Sequence, residues 1–159
     1  MSEDSHMPTG ECWFCRDERG ADSPPGGWIH QDAHWNAWHC LAGWGPAGTV
    51  IVESRRHFLD FATMDTGEAR TFAPLLGRLV TAIKQAVAAH RVYTWSTMDA
   101  YPHFHLWLVP WWQEGQARGP RYLLGSMDAG QCTAGDALDT AARLRGHLAG
   151  PGAAVRERR

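Results

Sequence analysis

Short runs of apolar and β-branched residues, separated by turn-forming residues, predict β-strands along much of the chain. The clearest run is Thr49–Glu53, whose threonine, valine and isoleucine side chains fit a pleated strand. Two aromatic-rich runs precede it, and two further runs follow a long helical segment. The five predicted strands are Trp28–Gln31, Trp35–Cys40, Thr49–Glu53, Val92–Ser96 and Phe104–Val109. Their order and short connections predict antiparallel pairing.

A helical period replaces the strand pattern between the third and fourth strands. Asp65 followed by Glu68 predicts a helix N-terminus with a capping box, and the helix should continue to His90. Pro74 predicts either a kink or a frayed first turn. The apolar residues that recur at three- and four-residue spacing are Phe72, Leu75, Leu76, Leu79, Val80, Ile83 and Val87.

The remaining pattern predicts how the 159 residues are organised. A short C-terminal helix is expected over Ala137–Leu148, while residues 113–134 show no clear period. A chain of this length supports one hydrophobic core. We expect a flexible arm at 1–10, one α+β domain at 11–112, a C-terminal extension containing the short helix at 113–150 and a basic tail at 151–159.

Composition excludes several classes of protein. Hydrophobic residues make up 44% of the chain and the formal net charge is −2, which argues against disorder and against a broad basic surface for nucleic acid or anionic membranes. The N-terminus lacks a signal-peptide pattern and no apolar run is long enough to cross a bilayer, so a cytoplasmic location is expected. The nine tryptophans are expected mainly in the core or a subunit interface.

The segment from Tyr101 to Pro110 holds the most informative polar residues. Alternate side chains of a strand share a face, so His103, His105 and Trp107 should lie on one face, opposite three apolar side chains. The two imidazoles would be separated by about 6.6 Å along the backbone. Two histidines together on one face favour a functional role over a purely structural one.

The pair Cys12 and Cys15 is a second candidate site. Its spacing allows two thiolates to bind one metal ion, and zinc needs four such ligands. The candidate partners are His30, His34, His39, His57, His103 and His105. A redox pair is less favoured, because no strand precedes the cysteines as in thioredoxin-like proteins, and inert structural thiols are the third alternative.

Four segments in this order resemble the histidine triad (HIT) superfamily of nucleotide hydrolases and transferases. They are the N-terminal Cys-x-x-Cys, the glycine-led strand with its basic-basic-His ending at residues 47–57, the amphipathic helix, and the His-Phe-His-Leu-Trp strand closing at Pro110. The resemblance covers Cys12 through Pro110. It implies an α+β HIT-like fold with a five-stranded antiparallel sheet, one long helix packed on it, and a homodimer.

The resemblance also assigns roles to individual residues. It implies that Cys12, Cys15, His57 and His103 bind a structural zinc ion, since four protein ligands leave no position for water. It implies that His105 is the nucleophile, which attacks the α-phosphorus of a nucleotide to form a nucleotidyl-imidazole intermediate. The other ring nitrogen of His105 is expected to donate to a backbone carbonyl.

Several positions depart from the family pattern. Trp107 occupies the third triad position and is a candidate substrate-binding residue, because an indole can donate one hydrogen bond to a phosphate oxygen, although it cannot accept or carry a proton. The preceding loop lacks the family's phosphate-binding residues, which leaves Ser96 and Thr97 as candidate phosphate donors, while Asp99 would repel phosphate. No acidic residue is found near Cys40–Ala42 to bind ribose. These departures predict altered phosphate and ribose recognition.

Three functions remain compatible with these residues. The first is a nucleotide hydrolase that cleaves a phosphoric anhydride or phosphoramidate bond. The second is a nucleotidyltransferase or phosphorylase, in which another acceptor replaces water. The third is a nucleotide-binding protein that keeps the fold and zinc but has little catalytic activity. Each implies a small nucleotide as partner, without nucleic acid or membrane.

Overall fold

The computed structural model describes residues 12–16, 22–114, 117–128 and 132–150. The predicted arm at 1–10 and the predicted tail at 151–159 lie outside these ranges. Within them, the chain forms one five-stranded antiparallel sheet with the order β1-β2-β3-β5-β4. The strands are β1 (His30–Gln31), β2 (Trp35–His39), β3 (Val50–Ser54), β4 (Arg91–Trp95) and β5 (His105–Trp111). The predicted five-stranded antiparallel sheet and the α+β class are therefore confirmed.

The long helix α1 spans Thr66–Val87 between β3 and β4. Its capping box is formed as predicted, because Asp65 accepts from the backbone of Glu68 and the Glu68 side chain accepts from the backbone of Asp65. The predicted fraying of the first turn is wrong, since the helix starts at Thr66 and the capping box holds its N-terminus. The helix continues through Pro74 and ends before Ala88, which has a left-handed φ of 53°.

Two helices follow the sheet. Helix α3 (Ala134–Ala149) is the predicted C-terminal helix and starts three residues earlier than expected, because Thr133 and Asp136 form a further capping box. Helix α2 (Gly119–Asp128) was not predicted. Its ten residues include Gly119, Pro120 and Gly125, which weaken the helical signal, although proline is well tolerated in a first turn. No helix in the described ranges is both long and apolar enough to span a bilayer.

The main core lies between one face of the sheet and α1. Phe104, Leu106 and Leu108 of the β5 region point into it, as the alternation of the sequence predicts. Helix α3 packs against α1 on the side of this core. Fully buried Trp35 contacts both Phe72 of α1 and Phe104.

A second, smaller core covers the opposite face of the sheet. The Cys12–Cys15 segment packs here against buried Trp38 and Ile51. Trp107 of β5 also packs against this core, on the face opposite Leu106 and Leu108. Most tryptophans are buried or packed in cores, as predicted: Trp35, Trp38 and Trp111 are buried, and Trp13, Trp28, Trp44 and Trp107 pack against the second core.

The turn before β3 depends on a close backbone approach at Gly48. Gly48 has a φ of +96°, and a Cβ placed there would lie 2.9 Å from a methyl group of Val87. Its backbone N–H donates to Nε2 of buried His39 at 2.8 Å. Glycine is thus required both by the left-handed conformation and by the contact with the end of α1.

The substitution Gly48→Ala is expected to lower the free energy of unfolding by about 2 kcal/mol, because it combines left-handed strain with a steric clash. Chemical denaturation measures this change. Gly77→Ala provides a matched control, because Gly77 lies in α1 with open space around its Cβ position and should become more stable by up to about 1 kcal/mol. Equal stability of the two variants would contradict the role of Gly48.

Candidate metal centre and active site

Three separate parts of the chain bring four potential ligands together. Cys12 and Cys15 lie on a turn closed by a backbone hydrogen bond between them, His57 follows β3, and His103 precedes β5. One ligand atom from each residue lies within 4.8 Å of all the others. The structure thus places together the four residues that the resemblance assigns to zinc.

The distances among these atoms fit tetrahedral coordination. Nδ1 of His103 lies 3.5 Å from each of the two Sγ atoms, and Nδ1 of His57 lies 3.4 Å from Sγ of Cys15. The two Nδ1 atoms are 3.2 Å apart. Ordinary zinc bond lengths in a tetrahedron give S···N edges of about 3.6 Å and N···N edges of about 3.3 Å. The donor set therefore has both the chemistry and the spacing that zinc requires.

Hydrogen bonding directs the lone pair of His103 toward the other three ligands. Its Nε2 atom donates to the backbone carbonyl of Ser54 at 2.7 Å. A carbonyl oxygen only accepts, so the proton of the neutral ring resides on Nε2 and Nδ1 carries the lone pair. Such a backbone contact fixes the tautomer and orientation of a metal-binding histidine.

A charged pair anchors the segment that carries His57. The guanidinium of Arg56 donates to both carboxylate oxygens of Glu68, at 2.9 and 2.8 Å. Glu68 is buried and belongs to the α1 capping box, so the pair joins the end of β3 to the start of α1. This bidentate geometry restricts the backbone immediately before His57.

Three of the candidate histidines lie outside the ligand cluster. His39 is fully buried, with Nδ1 donating to the carbonyl of Cys40 and Nε2 accepting from Gly48. Both of its ring nitrogens are therefore engaged by backbone groups, so His39 is not among the clustered ligands. His30 instead forms a pair with Asp32, and neither His30 nor His34 joins the ligand cluster.

His105 is placed with one ring nitrogen held and the other available. Its Nδ1 donates to the carbonyl of His103 at 2.7 Å, while no described residue hydrogen-bonds to Nε2. Burial lowers the pKa of His105, partly opposed by the bond to His103, so the ring is neutral near pH 7. The Nε2 atom therefore carries a lone pair, as a nucleophile requires.

Phe14 connects the cysteine turn to His105. Its ring centroid lies 4.7 Å from that of His105 and 5.2 Å from that of His103. Sequence reasoning did not single out this residue, although its position between Cys12 and Cys15 places it beside any ligand that the cysteines share. The turn that holds two of the candidate metal ligands thus also packs against His105.

A cavity of about 370 Å³ lies beside His105. Trp107 and Thr97, two of the expected substrate-binding residues, line it. Ser96 does not line it, and its hydroxyl donates to the carbonyl of His105. The structure therefore places Ser96 as a brace for β5, in a role that the sequence did not indicate. The other lining residues are Trp44, Trp95, Ala100, Tyr101 and Met127.

Comparison with solved structures identifies the fold. A zinc-bound histidine triad family protein from Mycobacterium smegmatis shares 19% identity, with a TM-score of 0.60 over 89% of this chain and 96% of that one. A histidine triad protein from Bradyrhizobium japonicum shares 15% identity, with a TM-score of 0.62 over 76% and 89%. A uridylyltransferase shares 18% identity, with a TM-score of 0.52 over 76% of this chain and 40% of that one.

The protein therefore has the histidine triad fold, as the sequence resemblance implies. No protein-family model matches the chain, and no curated protein does. The features of this chain that define the fold are the order of the strands in the sheet and the placement of the long helix α1.

Removing the Arg56 guanidinium is expected to destabilise the protein. Arg56→Met leaves the buried carboxylate of Glu68 without its charged partner, which should lower the free energy of unfolding by about 2 kcal/mol, less than for a fully buried pair because Arg56 is half exposed. Chemical denaturation gives the difference. Arg55→Met is the neighbouring control, since Arg55 is exposed and should change stability by less than about 0.5 kcal/mol. Similar losses for both variants would contradict this role of Arg56.

Proposed function

We propose that this protein is a zinc-containing member of the histidine triad superfamily that hydrolyses a nucleotidyl substrate through His105. The observation that carries the proposal is the state of this ring, with Nδ1 bound to a carbonyl and Nε2 available beside a cavity. The ligand-like cluster of Cys12, Cys15, His57 and His103 supports it. The fold shared with histidine triad proteins supports it further.

The reaction proceeds in two displacements at the α-phosphorus. Nε2 of His105 donates its lone pair to phosphorus, and the bond from phosphorus to the leaving group breaks with its electron pair. Water then attacks the nucleotidyl-imidazole and releases one proton to solvent, the phosphorus–nitrogen bond breaks, and the lone pair returns to Nε2. Nδ1 of His105 keeps its proton throughout and donates it in a hydrogen bond to the carbonyl of His103. This hydrogen bond stabilises the positive charge that the ring acquires.

The metal-binding residues act through position in this mechanism. A zinc ion held by four protein ligands supplies structural rigidity, since it has no open coordination position. His103 provides both a ligand atom and the carbonyl that orients His105. Fixing His103 therefore fixes the tautomer of His105.

Trp107 limits the proton transfers that the site can perform. Its indole N–H can donate to a phosphate oxygen, but it cannot deliver a proton to the leaving group. The leaving group therefore takes its proton from water. Thr97 is the second proposed contact, through its hydroxyl at the cavity wall.

Trp107 also favours a second candidate function. A binding protein with the same fold and metal needs no proton transfer at the third triad position. In that case the cavity would hold a nucleotide without forming a covalent bond. A transferase that uses an acceptor other than water is the enzymatic alternative. Homodimer formation and a cytoplasmic location remain predictions from the sequence.

The nucleophile is tested by intact-protein mass spectrometry. After brief incubation with nucleoside phosphoramidates, dinucleoside polyphosphates and nucleotide sugars, the wild type should gain one nucleotidyl group, since Nε2 of His105 attacks phosphorus. His105→Ala should gain none. The quench is neutral to basic, because the phosphorus–nitrogen bond is labile in acid.

His90→Ala is the control for this experiment, because His90 is exposed and remote from the cavity lining. It should form the adduct as the wild type does. Folded wild type that binds nucleotide without any adduct or product would favour the binding function. An adduct that persists in His105→Ala would exclude His105 as the nucleophile.

Metal content is tested separately from activity. The purified protein should contain about one zinc per chain, and Cys12→Ser should lose most of it because three ligands hold zinc weakly. Removal of zinc by a chelator should lower the melting temperature, since the ion joins three parts of the chain. Cys132→Ser should keep its zinc, because Cys132 is buried outside the ligand cluster. Loss of zinc from both variants would show that the cluster does not hold it.

A further inference from the structure

We propose that the cavity beside His105 selects substrates that combine a flat, uncharged aromatic group with a single negative charge at phosphorus, and that it rejects polyphosphates. This inference rests on the proposed function and specifies its substrate class. The observation behind it is the chemistry of the cavity wall.

Four of the eight residues that line the cavity have a tryptophan or tyrosine ring. Trp44, Trp95, Tyr101 and Trp107 all line it. The ring of Trp44 lies 5.9 Å from that of Trp107 at an interplanar angle of 35°, and 6.5 Å from that of Tyr101. Indole and phenol faces stack on flat aromatic groups and gain little from a flexible charged chain.

Positive charge is missing from the described wall. The remaining lining residues are Thr97, Ala100, His105 and Met127, and none of the lining residues is a lysine or an arginine. Two nearby guanidiniums, those of Arg91 and Arg118, lie over the ring of Trp111, which is outside the lining. A polyphosphate with three or four charges would therefore enter an apolar space without a described counter-ion, which is costly.

The backbone dipole of helix α2 also makes the cavity unfavourable for negative charge. Met127 belongs to the last turn of α2, and this turn therefore lies beside the cavity. A helix C-terminus carries a partial negative charge, and no basic residue in the last turn of α2 offsets it. Each additional phosphate brought to this end should weaken binding further.

A single charge at the reacting phosphorus is compatible with the same wall. The hydroxyl of Thr97 and the indole N–H of Trp107 are neutral donors, enough for one phosphodiester oxygen pair. The flat group could be the nucleobase or an aromatic leaving group joined to phosphorus through oxygen or nitrogen. Both sources share the same chemistry, and the binding test below distinguishes them.

Equilibrium binding to zinc-loaded His105→Asn tests the inference without requiring turnover. The ligands are the phenyl and methyl esters of adenosine 5′-phosphate, each with one negative charge, then ADP and ATP, all without magnesium and at low salt. Calorimetry should show ATP binding at least about tenfold more weakly than the phenyl ester. A phenyl ester that binds more tightly than the methyl ester places the leaving group in the cavity, and equal binding of the two places the nucleobase there.

Two variants of Ala100 separate the effect of side-chain charge on binding from the effect of side-chain size. Ala100→Lys adds an ammonium group at the exposed edge of the cavity, whereas Ala100→Met adds a side chain of similar length without charge. The lysine variant should bind ATP about tenfold more tightly than the methionine variant, and the affinity for the phenyl ester should change far less.

Two results would overturn the inference: ATP binding as tightly as the monoanionic esters, or no binding of any of the four ligands. Selective binding of the phenyl or methyl ester together with no adduct on wild-type His105 would leave the substrate class intact and remove only the proposed chemistry. The two proposals therefore fail in distinguishable ways.

Discussion

The convergence of two thiols and two imidazole Nδ1 atoms is the constraint on which the rest of the site depends. His103 donates its Nε2 proton to the carbonyl of Ser54, so its Nδ1 atom faces Nδ1 of His57 at 3.2 Å and both Sγ atoms at 3.5 Å. A cation at the centre would be bound by all four of these ligand atoms. The same cation would tie the N-terminal turn to the end of β3 and to the start of β5.

This constraint reaches His105 by two physical routes. The first is the carbonyl of His103, which accepts the proton of His105 and leaves Nε2 bare. The second is the ring of Phe14, which the cysteine turn lays against His105 at 4.7 Å. Ser96 braces the strand from the other side through the carbonyl of His105. The position of one imidazole is thus determined by contacts from the cysteine turn, from β5 itself and from the loop after β4.

Much of the fold and part of the site could be predicted from the sequence. Strand alternation placed His103, His105 and Trp107 opposite the core, because period-two geometry depends only on local backbone structure. The choice of His57 as a ligand over its alternatives came only from the resemblance, since six histidines were available and none is fixed by spacing to Cys12. Long-range contacts between β3 and β5 determine which histidines lie beside the two cysteines.

The features that sequence reasoning missed have a common physical origin. Helix α2 contains two glycines and a proline, so it has a weak helical pattern and is held by contacts with the sheet: Tyr122 donates to the carbonyl of Pro110 and packs on Tyr93. Ser96 was expected to contact phosphate because hydroxyls commonly do, but a nearby backbone acceptor engages it instead. Tertiary contacts therefore determine both the formation of α2 and the hydrogen bond of Ser96.

The aromatic wall and the proposed nucleophile impose different demands on a substrate. A nucleophilic imidazole needs a phosphorus atom that is electrophilic and close, and negative charge on the substrate opposes both. Sites that act on polyphosphates usually overcome this with cations, whereas the described wall of this cavity has none. A cavity that binds only substrates with a single negative charge reduces this repulsion, because such a substrate carries less negative charge. In that arrangement Trp107 need not replace a lost histidine; its uncharged aromatic surface suits a site where affinity comes from stacking and the leaving group departs without a proton from the protein.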